Sequence, residues 1–218
     1  MAQVASGGGW QTTFTLVNRG TASSQAQLSF FDNNGNALSL PLIFVQSGAT
    51  TTASTLSQTI AADATLVILT QGNNAGASVV GSAQLSATGN ISGFAIFRYN
   101  PTGQEAVVPL ETRDAGAYVL AFDNTNGLVT GLALANVSNQ AANVPVVLRD
   151  DTGASLGTAT INLAALGHTS FVLTDNYTFA AGKRGTVEFD APAGTQISVL
   201  GLRATPTSAV TTIPVLAK

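Results

Sequence analysis

The chain has 218 residues, a formal charge of −3, no cysteine and one histidine. Only 9% of its residues are charged, against about 25% in average soluble proteins, and lysine and arginine form no cluster, which excludes the basic surface that nucleic-acid binding requires. The lack of cysteine excludes disulfides and thiolate metal sites, and no apolar run approaches the roughly 18 residues needed to span a bilayer.

Short apolar or alternating runs, separated by clusters of Gly, Asn, Asp and Ser, occur along the whole chain and predict strands at sandwich spacing. In the first half the predicted strands are 12–18, 25–31, 37–44, 65–70, 79–86, 92–100 and 104–110. In the second half they are 117–122, 129–136, 143–149, 155–163, 169–174, 184–190, 197–204 and 209–216. No 3.6-residue periodicity persists long enough to predict a helix. We therefore expect an all-β protein made of antiparallel sandwiches or barrels.

An internal repeat determines the expected domain plan. Residues 10–38 align without a gap on residues 128–156 at a constant offset of 118. Further along, Arg98, Pro101, Thr102 and Pro109 match Arg203, Pro206, Thr207 and Pro214 at an offset of 105. We therefore predict two tandem β-sandwich domains, residues 1–111 and 112–218, joined by the charged stretch Glu111–Gly116.

The matched positions have structural interpretations. Asn18 and Asn136 each end a strand, where an Asn side chain can bond the backbone of the next turn. The segments Asp32–Gly35 and Asp150–Gly153 each join two strands, and an Asp followed by a Gly of positive φ is a common hairpin turn. These matches predict turn chemistry in both copies.

A catalytic site finds little support in the residues. His168, with Ser170 and Asp175, offers the residue types of a hydrolase triad, but no G-x-S-x-G motif is present and the first copy has no counterpart. The triglycine Gly7–Gly9 lacks the Lys of a phosphate-binding loop. We therefore expect a protein that is not an enzyme, with His168 in a turn or at a strand edge.

Metal binding has one candidate loop. Asp32, Asn34 and Asn36 alternate oxygen ligands of the kind that Ca²⁺ accepts. The loop lacks the closing Glu of an EF-hand, and the second copy offers only Asp150 and Thr152 at the matching ligand positions. We expect no metal ion and no other cofactor.

Two matched arginines lie within apolar strands. Arg98 and Arg203 are each followed by a proline three residues later. We expect each to form a structural ion pair with an acid of its own domain, in preference to binding a ligand.

The two copies differ most at a polar insertion in the first, Gln46–Gln58, which includes Thr50, Thr51 and Thr52. Three interpretations stay open: a binding loop, a mobile insertion or an extra edge strand.

Aromatic and aliphatic residues also distinguish the first copy. By strict alternation Phe31, Phe94 and Ile96 point away from the face that holds Phe30 and Phe97, which predicts a covered apolar patch. In the alignment Arg149, Val199 and Gly201 take the places of these three residues in the second copy. The residues Trp10 and Tyr99 also have no aromatic counterpart in the second copy.

The alternating strands, Asp-x-x-Gly hairpins and tandem copies resemble the immunoglobulin-like β-sandwich repeats of secreted and surface-attached bacterial proteins. The resemblance implies an extracellular, non-enzymatic role. Met1 directly precedes AQVASGGGW, which reads as the start of a mature segment, so we also expect a leader or further domains upstream in the natural protein. The leading hypothesis is a structural or adhesive module whose open strand edges pair with another copy or a surface protein.

The alternative is a carbohydrate-binding module of a secreted enzyme, with a polysaccharide as its partner. It requires two or three exposed, coplanar rings among Trp10, Tyr99, Tyr118 and Tyr177.

Overall fold

The computed structural model describes residues 1–72, 76–207 and 209–218. In these residues the regular secondary structure is almost entirely antiparallel strand, with one short α-helix and one short 3₁₀ helix. It divides into two compact units, the first made of Met1 and Gln3–Leu110 and the second of Ala2 and Glu111–Lys218. The all-β prediction is confirmed.

The strands follow the chain in order. Those of the first unit are β1 (Val4–Ser6), β2 (Trp10–Asn18), β3 (Ser24–Phe31), β4 (Leu40–Phe44), β5 (Thr50–Ala53), β6 (Thr55–Ile60), β7 (Thr65–Thr70), β8 (Val79–Ala87), β9 (Ile91–Tyr99) and β10 (Gln104–Pro109). Those of the second unit are β11 (Ala117–Asp123), β12 (Val129–Asn136), β13 (Ala142–Asp150), β14 (Ser155–Leu163), β15 (His168–Val172), β16 (Arg184–Asp190), β17 (Ile197–Ala204), β18 (Val210–Ile213) and β19 (Val215–Ala217). The helix α1 (Leu173–Asn176) and the 3₁₀ helix (Thr178–Ala180) lie between β15 and β16.

The first unit consists of a four-stranded sheet, β1-β8-β3-β6, and a six-stranded sheet, β10-β9-β2-β7-β4-β5. Every second residue is buried along most of β2 and β3, as expected for a sheet with one covered side. The rings of Phe14 on β2 and Phe30 on β3 lie 5.4 Å apart between the two sheets. The unit is therefore a sandwich whose core lies between the sheets.

The second unit pairs a five-stranded sheet, β14-β13-β16-β11-β19, with a four-stranded sheet, β15-β12-β17-β18. Its core contains Leu132 and Val199 from the smaller sheet and Val146 and Phe189 from the larger one. The two sheets approach closely at Gly201, where an added Cβ would lie 2.3 Å from Cδ1 of Leu120. The missing side chain is what lets Leu120 pack there.

The two units pair their strands in the same order. The run β10-β9-β2-β7 corresponds to β18-β17-β12-β15, and β1-β8-β3-β6 corresponds to β11-β16-β13-β14. The offset of 118 places β2 on β12 and β3 on β13, which hold equivalent positions in their sheets.

The predicted turn role of the matched asparagines is confirmed. Asn18 is fully buried, and its Nδ2 donates to the carbonyls of Ala22 and Ile60 at 2.9 Å. Asn136 is also fully buried, and its Nδ2 donates to the carbonyls of Gln140 at 2.6 Å and Ala164 at 2.8 Å. Each amide thus connects its strand end to two separate backbone segments.

The predicted polar insertion, Gln46–Gln58, divides between the two sheets: it contains β5 of the six-stranded sheet and the first residues of β6 in the four-stranded sheet. In the first unit Phe30 on β3 forms backbone hydrogen bonds with Leu38 and Ser54. Its carbonyl accepts from the N–H of Leu38, and its N–H donates to the carbonyl of Ser54. Residues 39–53 leave the four-stranded sheet between these two bonds and add β4 and β5 to the six-stranded sheet. The corresponding edge of the second unit is the uninterrupted strand β14. Of the three interpretations, the structure shows the extra edge strand.

Several predicted strands are shorter than expected. The predicted strand 37–44 begins only at Leu40, as β4. The predicted strand 209–216 is broken at Pro214, which has no N–H for a ladder, and the parts on either side, β18 and β19, belong to different sheets. The predicted strand 169–174 ends at Val172, where α1 follows.

Candidate functional site

The outward side of the six-stranded sheet carries a group of apolar side chains on neighbouring strands. In the cross-strand register Val107 on β10 lies opposite Ile96 on β9, and Ile96 lies opposite Thr13 on β2. Thr13 in turn lies opposite Leu69 on β7, which pairs with Ile43 on β4. Paired residues of an antiparallel ladder project from the same side. We call this side the apolar face; its apolar members are Ile43, Val67, Leu69, Phe94, Ile96 and Val107.

The apolar face is open and carries little charge. Phe94 is 37% exposed and Val107 is 43% exposed, while the other four members are half-buried. The strands β2, β7, β4 and β5 contain no charged residue. The charges on β9 and β10 are Arg98 and Glu105, which lie opposite each other.

The structure brings together two of the three residues predicted to form an apolar patch. Phe94 and Ile96 both lie on the apolar face, and the exposure of Phe94 shows that this part of the face is not covered. The prediction is wrong for Phe31, which lies on β3 of the other sheet and pairs there with Ser82. Alternation within a strand assigns a side but does not show which sheet the strand joins.

Sequence reasoning missed four aliphatic members of this face, Ile43, Val67, Leu69 and Val107. Each occupies an outward position on a strand with an alternating pattern. No pattern along the chain shows that β4, β7 and β10 lie in the same sheet as β9.

The three threonines do not form one surface. Thr50 and Thr52 are exposed and project from the side of the apolar face, because Thr50 pairs with Ile43. Thr51 pairs with the buried Leu42 and projects inward.

The candidate aromatic platform is not confirmed as a coplanar set. Tyr118 and Tyr177 are buried, at 1% and 7% exposure. Trp10 and Tyr99 are half-buried neighbours whose ring centroids lie 4.9 Å apart at an angle of 42°. Trp10 also packs on the core residue Phe97, at 5.5 Å and 46°. The pair therefore closes one end of the first core and offers a tilted surface of two rings.

The structure matches β9 to β17 at an offset one residue larger than the 105 of the sequence alignment. Thr13 pairs with Ile96, and its counterpart Gly131 pairs with Leu202 rather than Gly201. In the same register Phe94 corresponds to Leu200, which is fully buried. The residues of β17 that match Ile96 and Phe94 are therefore Leu202 and Leu200, rather than Gly201 and Val199 as in the alignment. A slip of one residue exchanges the two sides of a strand.

Because of this one-residue shift, Arg98 and Arg203 do not occupy equivalent positions in the two units. Arg98 lies opposite Gln11 on the outward side, whereas Arg203 lies opposite the buried Thr130. Both side chains are exposed, and among the described residues neither forms an ion pair. The predicted structural ion pairs are therefore absent from the described part of the chain.

The only histidine is buried. His168 is 3% exposed, and burial lowers its pKa from 6.5 to about 4, although a hydrogen bond with the backbone of Ala2 opposes the shift. Ser170 and Asp175 are exposed. The imidazole is therefore out of solvent contact, whereas the other two residues of the candidate triad lie at the surface. The expected turn or strand-edge position of His168 is confirmed, since it begins β15.

In the two matched Asp-x-x-Gly loops, the carboxylates of Asp32 and Asp150 accept hydrogen bonds from residues of their own loop. Oδ1 of Asp32 accepts hydrogen bonds from the N–H groups of Asn34 and Asn36, both at 2.8 Å. Burial alone would raise the pKa of Asp32, but these bonds outweigh it and lower the pKa. Oδ1 of Asp150 accepts from the hydroxyl and N–H of Thr152 at 2.7 and 2.9 Å, which lowers the pKa of Asp150. Within residues 1–72, 76–207 and 209–218, no group of three or more His, Cys, Asp or Glu side chains is placed to hold a metal ion.

Phe122 and Asp123 line two open depressions in the described part of the second unit. One, of about 450 Å³, includes Asp151 and Arg184, whose side chains are 3.7 Å apart and largely exposed. The other, of about 370 Å³, includes Arg203. Asp123 itself bonds the hydroxyl of Thr125 at 2.6 Å, so its carboxylate belongs to a turn.

No helix in the described part of the chain has the length and apolar character to cross a membrane. Neither a protein-family model nor a curated protein sequence matches the chain. Among solved structures, a lectin from Pleurotus ostreatus in complex with GalNAc is similar at 12% identity and a TM-score of 0.25, over 99% of this chain and 76% of the lectin. A candidate β-galactosidase from Bacteroides fragilis is similar at 13% identity and a TM-score of 0.18, over 99% of this chain and 32% of its own. At these scores neither likeness carries a functional argument.

Proposed function

We propose that the chain is a non-catalytic structural or adhesive module outside the cell, which associates with further copies of itself through the apolar face. The observation that carries the proposal is the exposure of Phe94 and Val107 on adjacent strands of a sheet whose other four strands are uncharged. Contiguous exposed apolar patches are typical of protein interaction sites. The resemblance of the sequence to surface-attached immunoglobulin-like repeats supports the extracellular location.

The chemistry of the face favours a second copy as the partner. Two copies can oppose the middle of their apolar faces without burying a charge, because the charges of β9 and β10, Arg98 and Glu105, lie together in one cross-strand row near the end of these strands. An unpaired buried charge would cost far more than an apolar contact contributes. Because the middle of the face carries only apolar and threonine side chains, two copies of it can pack together there without burying a charge.

The substitution Phe94→Lys tests this proposal. Burial of a Phe side chain contributes about 1.5–3 kcal/mol, so its loss should raise the dissociation constant of the self-associated form by at least about tenfold. Light scattering and sedimentation over a concentration series measure this constant. Ser86→Lys is the matched control, since it places the same charge at an exposed strand position of the other sheet in the same unit.

Two outcomes would contradict the proposal. One is a wild-type chain that stays monomeric at every concentration. The other is an equal effect of Phe94→Lys and Ser86→Lys, which would show that net charge rather than the apolar face controls association.

A second candidate function, carbohydrate binding, is favoured by one observation. The rings of Trp10 and Tyr99 are adjacent and half-buried, beside Gly9 and Pro101 at one end of the first sandwich. The tilt of the rings and the contact of Trp10 with Phe97 make a stabilising role in the core the better-supported interpretation.

A further inference from the structure

We propose that the edge strand β14 pairs in antiparallel fashion with β14 of a second copy, which joins two five-stranded sheets into one continuous sheet. The inference rests on the proposed self-association, but it concerns a different surface in the second unit. It identifies a junction that uses backbone hydrogen bonds rather than an apolar face.

On one side β14 has no strand neighbour among the described residues, although the ring of Phe179 lies against Gly157 near its beginning. It stands at the end of the order β14-β13-β16-β11-β19, and in the described residues its one strand partner is β13. Thr158, Thr160 and Asn162 are exposed along it. An edge of this kind presents a row of backbone N–H and C=O groups that can accept another strand.

The other edge strands are protected in ways that β14 is not. Proteins shield edges by keeping them short or by placing charges and prolines on them. β1 and β19 have three residues each, β5 and β18 four, and β15 five. β10 carries Glu105 and ends at Pro109. β14 has nine residues without a charge or a proline, and its counterpart β6, also uncharged, has only six.

The side chains of β14 suit pairing with an identical strand. The longest overlap places Ala159 at the two-fold axis and Thr158 opposite Thr160 of the second copy. Threonine pairs are favourable across antiparallel strands, and no like charges meet. On the other side, the half-buried Ala159 and Ile161 pack against the core and would extend it across the junction. An unrelated peptide would have to supply this pattern, whereas a second copy already carries it.

The test uses the absence of cysteine from the chain. Single variants Thr158→Cys, Thr160→Cys and Asn162→Cys are oxidised alone and in pairwise mixtures, and disulfide-linked dimers are counted on a non-reducing gel. A disulfide needs Cα atoms about 4.4–6.8 Å apart, which directly paired residues of an antiparallel ladder satisfy. We expect the mixture of Thr158→Cys and Thr160→Cys to cross-link several-fold more than either variant alone.

Ser57→Cys is the matched control, because it places a thiol at an exposed position of β6, the corresponding edge of the first unit. Equal cross-linking by all variants, the control included, would show random thiol collision and overturn the proposal. Equal homodimer yields at the three β14 positions would instead show a parallel register and overturn it as well. No cross-linking in any mixture would also refute it. The proposed contact through the apolar face is tested by a different measurement, the effect of Phe94→Lys on self-association of the cysteine-free chain. Either proposal can therefore be refuted without the other.

Discussion

Acidification from pH 6.5 to about pH 4 should destabilise the second unit through its buried histidine. The folded chain keeps His168 neutral down to a pKa of about 4, whereas the unfolded chain protonates it near 6.5. In this window the unfolded state binds the extra proton, so stability falls as the pH falls. The contribution is fully present above pH 6.5 and is lost by about pH 4. The difference between the two pKa values is worth about 3 kcal/mol.

The substitution His168→Gln isolates this contribution, because it removes the titrating group and keeps a polar side chain of similar size. Urea unfolding followed by circular dichroism at pH 7.5 and pH 4.5 gives the free energy of unfolding of both proteins. The wild type should lose about 2.5 kcal/mol more than His168→Gln between these pH values, because pH 4.5 is still above the folded-state pKa of about 4. As the chain has one histidine, its imidazole resonances in a proton NMR titration report the pKa directly. A midpoint near 6.5, or equal pH dependence in both proteins, would refute the reasoning.

Three further predictions concern the core and the aromatic pair. Asn136→Ala should reduce the free energy of unfolding by about 2–4 kcal/mol in urea denaturation, because it leaves the carbonyls of Gln140 and Ala164 unpaired; a change below about 0.5 kcal/mol would contradict the turn role. Gly201→Ala should cost about 1–3 kcal/mol in the same assay, since its Cβ would overlap Leu120. Its control is Gly116→Ala, which meets no atom within 4 Å and should leave stability unchanged. The fluorescence of Trp10, the one tryptophan, should stay constant when neutral oligosaccharides are added; a saturable change would favour the carbohydrate hypothesis.

Local patterns predicted most of the strands because their causes are local. Alternation in Trp10–Asn18 and Ala142–Asp150 reflects burial of one side of a strand, and the Asp-x-x-Gly turns form hydrogen bonds within four residues. The matched asparagines were predictable for the same reason, since each bonds the turn that follows it.

The candidate surfaces depended on long-range pairing and were predicted only in part. Phe94 and Ile96 were identified as outward residues, but Phe31 was assigned to the same patch although it lies in the other sheet. The segment that crosses from one sheet to the other is 39–53, which only overlaps the predicted insertion Gln46–Gln58, because the change of sheet depends on pairing with β7 rather than on the composition of the segment.

The sequence by itself determined the all-β class, the strand periodicity and the turn chemistry, because these follow from the alternation of side chains and from hydrogen bonds between near neighbours. Only the tertiary structure decided the one-residue register of β9 against β17, the membership of the apolar face and the open edge at β14. Strand order and register depend on pairings between residues far apart in the chain, and a shift of a single residue there exchanges the buried and exposed sides of a strand.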